Sequence, residues 1–344
     1  MDLSSASKCR EKEVGYLHQL TMAILSVSFV VGVVVNGLVL WMTAFRMTRT
    51  VTTVWFFNLA LADFIVLLFL PVAIYNLITH HWPLTDLACK FYLALMVLTF
   101  FASIYLLALI SVDRCVSVLY PVWVRNHRTV QRASWLALGV WLLAAITCSP
   151  YSILRTGGKQ EGCRYCFFKF NTENEKNSSN GDSVVFDRQQ VVTITHFLVG
   201  FLVPLVIIST CAYLIRAKLQ QEAWVHASRP RRLLLVLVSA FFIFWFPFNV
   251  ARLIHLGLAK SHDATMLPIL WATFSLGCLN SCLNPFLYVF IGRDFKKTFF
   301  QSLPSALARA FGEEGFLNHP DPEVKHPGND ENLKGEAERP NPPV

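Results

Sequence analysis

Residues 52–78 read TTVWFFNLALADFIVLLFLPVAIYNLI, and a single ionisable side chain, Asp63, interrupts them. As a helix this stretch is about 40 Å long at ~1.5 Å per residue, more than the ~30 Å hydrocarbon thickness of a bilayer. Inside a bilayer the backbone N–H and C=O groups have no water to bond. A helix satisfies all of them within the segment. The stretch therefore reads as a membrane-spanning helix with one buried acid near its middle.

Working outward, the same length and apolarity recur at roughly 20–45, 89–119, 134–154, 190–216, 231–259 and 265–291. The expectation is an all-α membrane protein, a seven-transmembrane helix bundle. The whole chain of 344 residues agrees, with 54% hydrophobic and 15% charged residues. Soluble, disordered and fibrous classes are thereby excluded, since a typical soluble domain has ~45–50% and ~25%. The reading divides the chain into an N-terminus at 1–19, a transmembrane domain at 20–291 with a long polar loop at 155–189, an amphipathic helix 8 at 292–303 and a disordered tail at 304–344. The first apolar run is too long for a cleaved leader and lacks a small-residue cleavage site.

Orientation follows from the loops. Arg46 and Arg49, then Arg125, Arg128 and Arg132, then Arg216, Lys218, Arg229, Arg231 and Arg232 fall on one side. On the other side the short loop at 80–88 has no Lys or Arg and the one at 258–265 has only Lys260. Basic loops stay in the cytosol, so the N-terminus lies outside in a multi-pass plasma-membrane protein. Topology thus explains most of the +8 formal charge, and nucleic acid drops out as a partner.

Each span carries a residue that hydrophobicity alone does not explain. A charge at the bilayer centre costs at least ~2.5–3.5 kcal/mol, so Asp63 must face the bundle interior. Asn36, Ser103, Asn280, Ser281 and Asn284 fall at similar depth. Together they offer oxygens to one small cation, with Asp63 as its counter-charge; sodium is the expected ion. Asp113-Arg114-Cys115 closes the third span at its cytosolic end. Trp245-Phe-Pro247 places a bulky ring beside a helix kink. Asn284-Pro285-Phe-Leu-Tyr288 ends the seventh span, and the basic and apolar residues of 292–303 then alternate as in a helix lying on the inner leaflet.

Asn36, Leu59/Ala62/Asp63, Trp141, Pro204, Trp245/Pro247 and Asn284-Pro285-x-x-Tyr288 occur one set per span and in order. This series resembles the rhodopsin-like (class A) G-protein-coupled receptors over about residues 20–303. Asp-Arg-Cys followed by Val118-Leu-Tyr-Pro-Val-Trp123 and Asn126-His-Arg-Thr-Val130 is similar to the chemoattractant branch that includes formyl-peptide receptors. Gln131-Arg-Ala-Ser-Trp135 and Trp224-Val-His-Ala227 are similar to the receptors for D-series resolvins within that branch. The resemblance implies a leukocyte receptor for a chemoattractant or pro-resolving lipid, coupled to an inhibitory-type heterotrimeric G protein. It assigns coupling and activation to Asp113, Arg114, Trp245, Pro247, Asn284, Pro285 and Tyr288. A peptide chemoattractant receptor and a non-signalling scavenger of the same fold are the competing readings. The chain departs from the class pattern at Cys115, Ala212 and Ala227; without a glutamate at Ala227, a lock from the sixth span onto Arg114 is not expected. An enzyme is not expected, because no nucleophile–base or metal-ligand constellation appears.

Cys89 opens the third span on the outer, oxidising side, where a disulfide to the long loop is expected. Cys163 and Cys166 compete as its partner; similarity to the Cys-x-Phe-x-Phe stretch of formyl-peptide receptors favours Cys166. Cys9 and the remaining loop cysteine form either a second bridge or two free thiols. Asn177-Ser-Ser is the one outer glycosylation acceptor.

Formyl-peptide receptors place an acid and arginines where this chain has Val97, Val192 and His196. What remains is an apolar and aromatic lining of Tyr92, Met96, Val97, Phe100, Leu270 and Phe274, with His196, Arg252 and His255 as basic exceptions. Such a cavity suits a small acidic lipid, a hydroxylated polyunsaturated fatty acid with its carboxylate on Arg252. Arrestin should be recruited weakly through the tail. After Gly292 the only hydroxyls are Thr298, Ser302 and Ser305, and none occurs from Ala306 to Val344.

Overall fold

The computed structural model describes residues 15–79, 81–153, 155–160, 163–169, 181–221, 228–257 and 266–291. Over 152–165, 167–187, 221–238 and 286–291 only the backbone is discussed, except at Cys166. Helix 8 at 292–303, the tail at 304–344, Asn177, Cys9 and the side chains of Cys163 and Tyr288 therefore lie outside the described residues.

Among the described residues seven helices are long and apolar enough to cross a membrane: Tyr16–Arg46, Val51–Thr79, Asp86–Leu119, Val130–Tyr151, Arg188–Gln220, Ser239–Gly257 and Met266–Pro285. Spans one and two, two and three, three and four, three and five, five and six, six and seven, and seven and one pack against each other. This closes a ring that runs through the third span. The second span also touches the fourth and seventh.

Prolines set the irregularities within the spans. Pro71 has no N–H to give the carbonyl of Leu67, and its ring crowds the preceding turn. The second span accordingly breaks at Phe69, between helices Val51–Leu68 and Leu70–Thr79. In the fifth span Leu198–Leu202 widens into a π-helical turn just before Pro204, which cannot bond the carbonyl of Gly200. A second π turn, Met42–Arg46, ends the first span. Hydropathy contained no sign of either wide turn. On the cytosolic side Pro121–His127 forms a short helix with proline at its start, where a missing N–H costs nothing.

The outer loop contributes the only strands among the described residues. Strands β1, Arg155–Gln160, and β2, Cys163–Lys169, pair antiparallel, with Thr156 opposite Phe168 and Gly158 opposite Tyr165. Cys166 on β2 is disulfide-bonded to Cys89, so the hairpin is pinned over the start of the third span.

Lipid tails are as apolar as leucine, so packing and interhelical hydrogen bonds hold the spans together, each bond worth about 0.6 kcal/mol on average. Trp141 donates from Nε1 to Asn58 Oδ1 at 3.0 Å, joining spans four and two. Tyr105 and Thr147 bond across spans three and four at 3.1 Å. Asn36 Nδ2 donates to the Ser281 carbonyl at 3.1 Å, joining spans one and seven. Toward the cytosolic side Trp55, Phe56, Leu59, Leu106 and Ile215 pack a continuous apolar core.

Candidate functional site

Three polar clusters lie along the bundle axis, and each draws on several spans.

At the centre, Asp63 is fully buried. Ser103 Oγ donates to its Oδ1 at 2.9 Å, and Asn284 Nδ2 donates to Oδ2 at 2.8 Å. The Ser281 carbonyl accepts from Asn36, so spans one, two, three and seven meet around one acid. Asn280 is buried in the same stretch of the seventh span. Among the described residues no Lys, Arg or His is ion-paired with Asp63. Asn36 Oδ1 is buried and has no hydrogen-bond partner among the described residues. One anionic carboxylate, neutral hydroxyl and amide groups and a spare amide oxygen make a hard-oxygen environment of low total charge. That donor set fits a monovalent cation; among the described residues no group of three or more His, Cys, Asp or Glu could hold a metal of higher charge.

At the cytosolic end two arginines share Asp113. Its neighbour Arg114 makes a long ion pair, with Nε 4.0 Å from the carboxylate. The closer partner is Arg128, at the end of the short second cytosolic loop. Arg128 donates from Nε to Oδ1 at 2.8 Å and from an Nη to Oδ2 at 2.9 Å. Planar guanidinium and carboxylate match as a two-bond fork, a stronger arrangement than one glancing contact. Arg114 instead donates to Thr52 Oγ1 at 2.9 Å, and Arg128 reaches the same hydroxyl at 3.2 Å. Neighbours on a helix diverge by about 100°, which explains why adjacency in sequence gives only a long contact here. Arg128 was legible only as a topology-setting charge.

Toward the outer end, the lining residues fall into two groups. Tyr92 packs on Trp82 and Phe69, with ring centroids 5.3 and 6.4 Å away. Phe274 lies between Trp271 and Phe248, each 6.0 Å away, and Arg252 sits over the Phe248 ring at 5.8 Å. Met96, Leu270 and His255 are half-buried, with no ring contact or side-chain hydrogen bond described. Val97 packs with Tyr151 and Val192 in the apolar cluster between spans three, four and five.

The second group surrounds Phe100. Its ring stacks on His196 at 4.8 Å and meets Trp245 edge-on at 4.6 Å. His196 Nδ1 is 2.8 Å from the Tyr151 hydroxyl. Arg252 lies close enough to act electrostatically on both that hydroxyl and His196. Sequence reading missed Tyr151 because it sits beside Pro150 at a helix end and belongs to no motif. Gly277 was missed too. A Cβ there would lie 2.7 Å from the Trp245 ring, so only glycine lets the seventh span approach the indole this closely. A small residue facing a kink-adjacent Trp is a signal, but one that requires knowing which faces meet.

This arrangement, seven spans with Asp63 bound to the seventh span's Asn284, an aromatic Trp245 above Pro247 and an Asp113-Arg114 pair at the foot of span three, can be set beside known proteins. Residues 35–288 match the family described as 7 transmembrane receptor (rhodopsin family). The chain belongs to the rhodopsin family of seven-transmembrane receptors. It is 61% identical over 318 residues to human "Probable G-protein coupled receptor 32", covering 91% of this chain and 89% of that protein. It is 38% identical over 322 residues to human "N-formyl peptide receptor 2", covering 88% and 89%. It is 39% identical over 309 residues to mouse "Formyl peptide receptor 2", covering 86% of both. The protein is thus a rhodopsin-family receptor of the chemoattractant branch, a multi-pass plasma-membrane protein that signals through a heterotrimeric G protein and is not an enzyme.

Proposed function

We propose that this receptor binds an extracellular acidic lipid, a hydroxylated polyunsaturated fatty acid, and activates an inhibitory-type G protein in response. One observation carries the reading: Arg252 stands at the outer part of the sixth span among aromatic side chains, and no acidic residue is described as its partner. A guanidinium on an aromatic face is partly desolvated, so a carboxylate reaching it gains a charge-assisted bond. Tyr92, Val97, Phe100 and Phe274 supply the apolar surface for the chain of the lipid. A formylated peptide would find Val97 and Val192 where an acid and an arginine would grip its polar backbone.

Coupling then runs through the centre. Phe100 touches both the pocket residue His196 and Trp245, so a ligand that moves Phe100 biases the Trp245 packing beside Pro247. A bulky ring held by Gly277 has few alternative positions, and a shift of the sixth span about Pro247 is the outlet. At the cytosolic end Arg114, held by Thr52 and at longer range by Asp113, is released to the G protein. Asn284, Pro285 and Tyr288 form the matching element of the seventh span. A sodium ion held by Asp63, Ser103, Ser281 and the amides of Asn280 and Asn284 favours the inactive packing by adding positive charge to the buried acid. Helix 8 at 292–303 lies along the inner leaflet, and the hydroxyl-poor tail recruits arrestin weakly.

The test is nucleotide exchange on purified inhibitory G protein by the full-length receptor in lipid nanodiscs, challenged with a panel of acidic lipid mediators and a panel of formylated peptides. Saturable stimulation by acidic lipids and none by peptides supports the reading; the reverse pattern replaces it with a peptide receptor.

A further inference from the structure

The hairpin of the long outer loop sets like charges against each other. Strands β1 and β2 contain Arg155, Lys159, Arg164 and Lys169 and no acid; Glu161 falls in the turn between them. The register puts Arg155 opposite Lys169 and Lys159 opposite Arg164, so each cation of the hairpin has another cation as its cross-strand neighbour. Opposite charges at such positions stabilise a ribbon, and like charges directly opposite destabilise it. A two-stranded ribbon is marginal by itself, so two repulsive pairs within one call for a reason outside the strands.

The two pairs also share a face. Cross-strand partners lie on the same side of a ribbon, and along each strand the sides alternate. Arg155 and Lys159 are four residues apart on β1 and so fall on one side. Arg164 and Lys169 are five apart on β2, which in an unbroken strand would put them on opposite sides. The register shift removes that conflict. Between the Thr156–Phe168 and Gly158–Tyr165 pairs β1 advances two residues and β2 three, and the extra residue restores the alternation. The four cations therefore form a two-by-two array, about 5 Å across the ribbon and, at ~3.3 Å per residue, about 13 Å along it.

The ribbon stands on the outer side, tied to the start of span three by the Cys89–Cys166 bridge, and both strands touch that span. An anion set between two cations turns their repulsion into a bridge. A fatty acid with one carboxylate can do this for one pair and not for the other, about 13 Å away. Anionic lipid headgroups are concentrated in the cytosolic leaflet, on the far side of the bilayer. A linear polyanion answers both pairs at once. Outside a cell, clustered Lys and Arg match the sulfate groups of an acidic polysaccharide, tetrahedral oxyanions that a guanidinium forks as it does phosphate. We propose that this hairpin is a docking surface for a linear sulfated polysaccharide, one anionic group of the chain answering each like-charge pair. The surface is separate from Arg252, and the inference does not depend on the acidic-lipid reading.

The experiment measures binding of a fluorescent heparin oligosaccharide to full-length receptor in phosphatidylcholine nanodiscs, with the desulfated oligosaccharide and empty nanodiscs as controls. Wild type should bind the sulfated chain saturably, lose most of that affinity as ionic strength is raised, and ignore the desulfated chain. Lys159→Glu is the decisive variant, because it converts a repulsive pair into a cross-strand ion pair with Arg164. It should keep or raise surface expression and thermal stability, yet weaken the sulfated chain by roughly tenfold or more. A residue with a merely structural role would not separate stability from binding in this way. Lys159→Gln should give a smaller loss and serves as the second variant should Lys159→Glu fail to reach the surface. Equal affinity for wild type and variants, or no saturable binding by wild type, overturns the proposal. If wild type ignores the sulfated chain while Lys159→Glu slows association of a labelled acidic lipid, the array steers the small ligand and the polysaccharide is the wrong partner.

Discussion

The centre of the bundle and the Phe100 cluster toward its outer end both bury polar groups, but they treat them oppositely. Asp63 lies fully enclosed and receives hydrogen bonds from Ser103 and Asn284. His196 and Trp245 are almost as enclosed, yet each keeps a nitrogen without a partner among the described residues. A satisfied cluster binds the spans into one arrangement and changes only when its partners are rearranged. The cytosolic cluster is also of the satisfied kind, with Asp113, Arg128, Arg114 and Thr52 closed on one another. In the reading proposed above, the outer cluster is the one that meets ligand.

The comparison breaks most visibly at Arg114. If this side chain is the cytosolic cluster's link to the G protein, Arg114→Ala abolishes agonist-driven nucleotide exchange while agonist affinity persists. Normal exchange at equal surface expression would remove Arg114 from that role. Next in size is the competition for Asp113. A charged hydrogen bond is worth about 1.5–3 kcal/mol, so the fork to Arg128 biases the cluster by roughly tenfold or more. Arg128→Ala hands the carboxylate to Arg114, 4.0 Å away, and should lower stimulated exchange several-fold. Asp113→Asn weakens both claims and should raise basal exchange. If the two variants shift activity in the same direction, the fork is a structural brace and not a competitor.

Smaller again is the sodium effect. Asp63→Ala removes the only full charge of the central cluster and should abolish the dependence of agonist affinity on sodium concentration, measured against choline at constant ionic strength. Retained dependence would place the ion elsewhere. The least effect is expected at the tail: truncation after Leu307 removes no Ser, Thr or Tyr and should leave arrestin recruitment nearly unchanged. A large loss would show that the fixed acids between Glu313 and Glu338 carry the interaction.

The spans, their order and their orientation were legible because bilayer physics acts on composition over ~20 residues and needs no knowledge of contacts. Asp63 was legible for a related reason, being costly anywhere but inside. Residues whose meaning depends on a neighbour in another span were not. Tyr151 reaches His196 from 45 positions away. Arg128 reaches Asp113 across a loop turn that nothing in its own sequence marks. Trp141 stood out as a motif residue, but its partner Asn58 came only with the packing of spans two and four. The π turn at Leu198–Leu202 has a local cause in Pro204, yet proline equally permits a simple kink, and only the surrounding packing selects between them.

The account turns on the carboxylate at Arg252, and a chemical cycle tests it most directly. Affinities of an acidic lipid agonist and of its methyl ester are measured on wild-type receptor and on Arg252→Leu. The account predicts that the mutation weakens the acid by roughly tenfold or more, the value of a charged hydrogen bond of about 1.5–3 kcal/mol. The ester, already weakened on wild type, should be nearly blind to the mutation. Equal losses for acid and ester on Arg252→Leu would contradict the account, leaving Arg252 a packing residue over Phe248 and the carboxylate bound elsewhere.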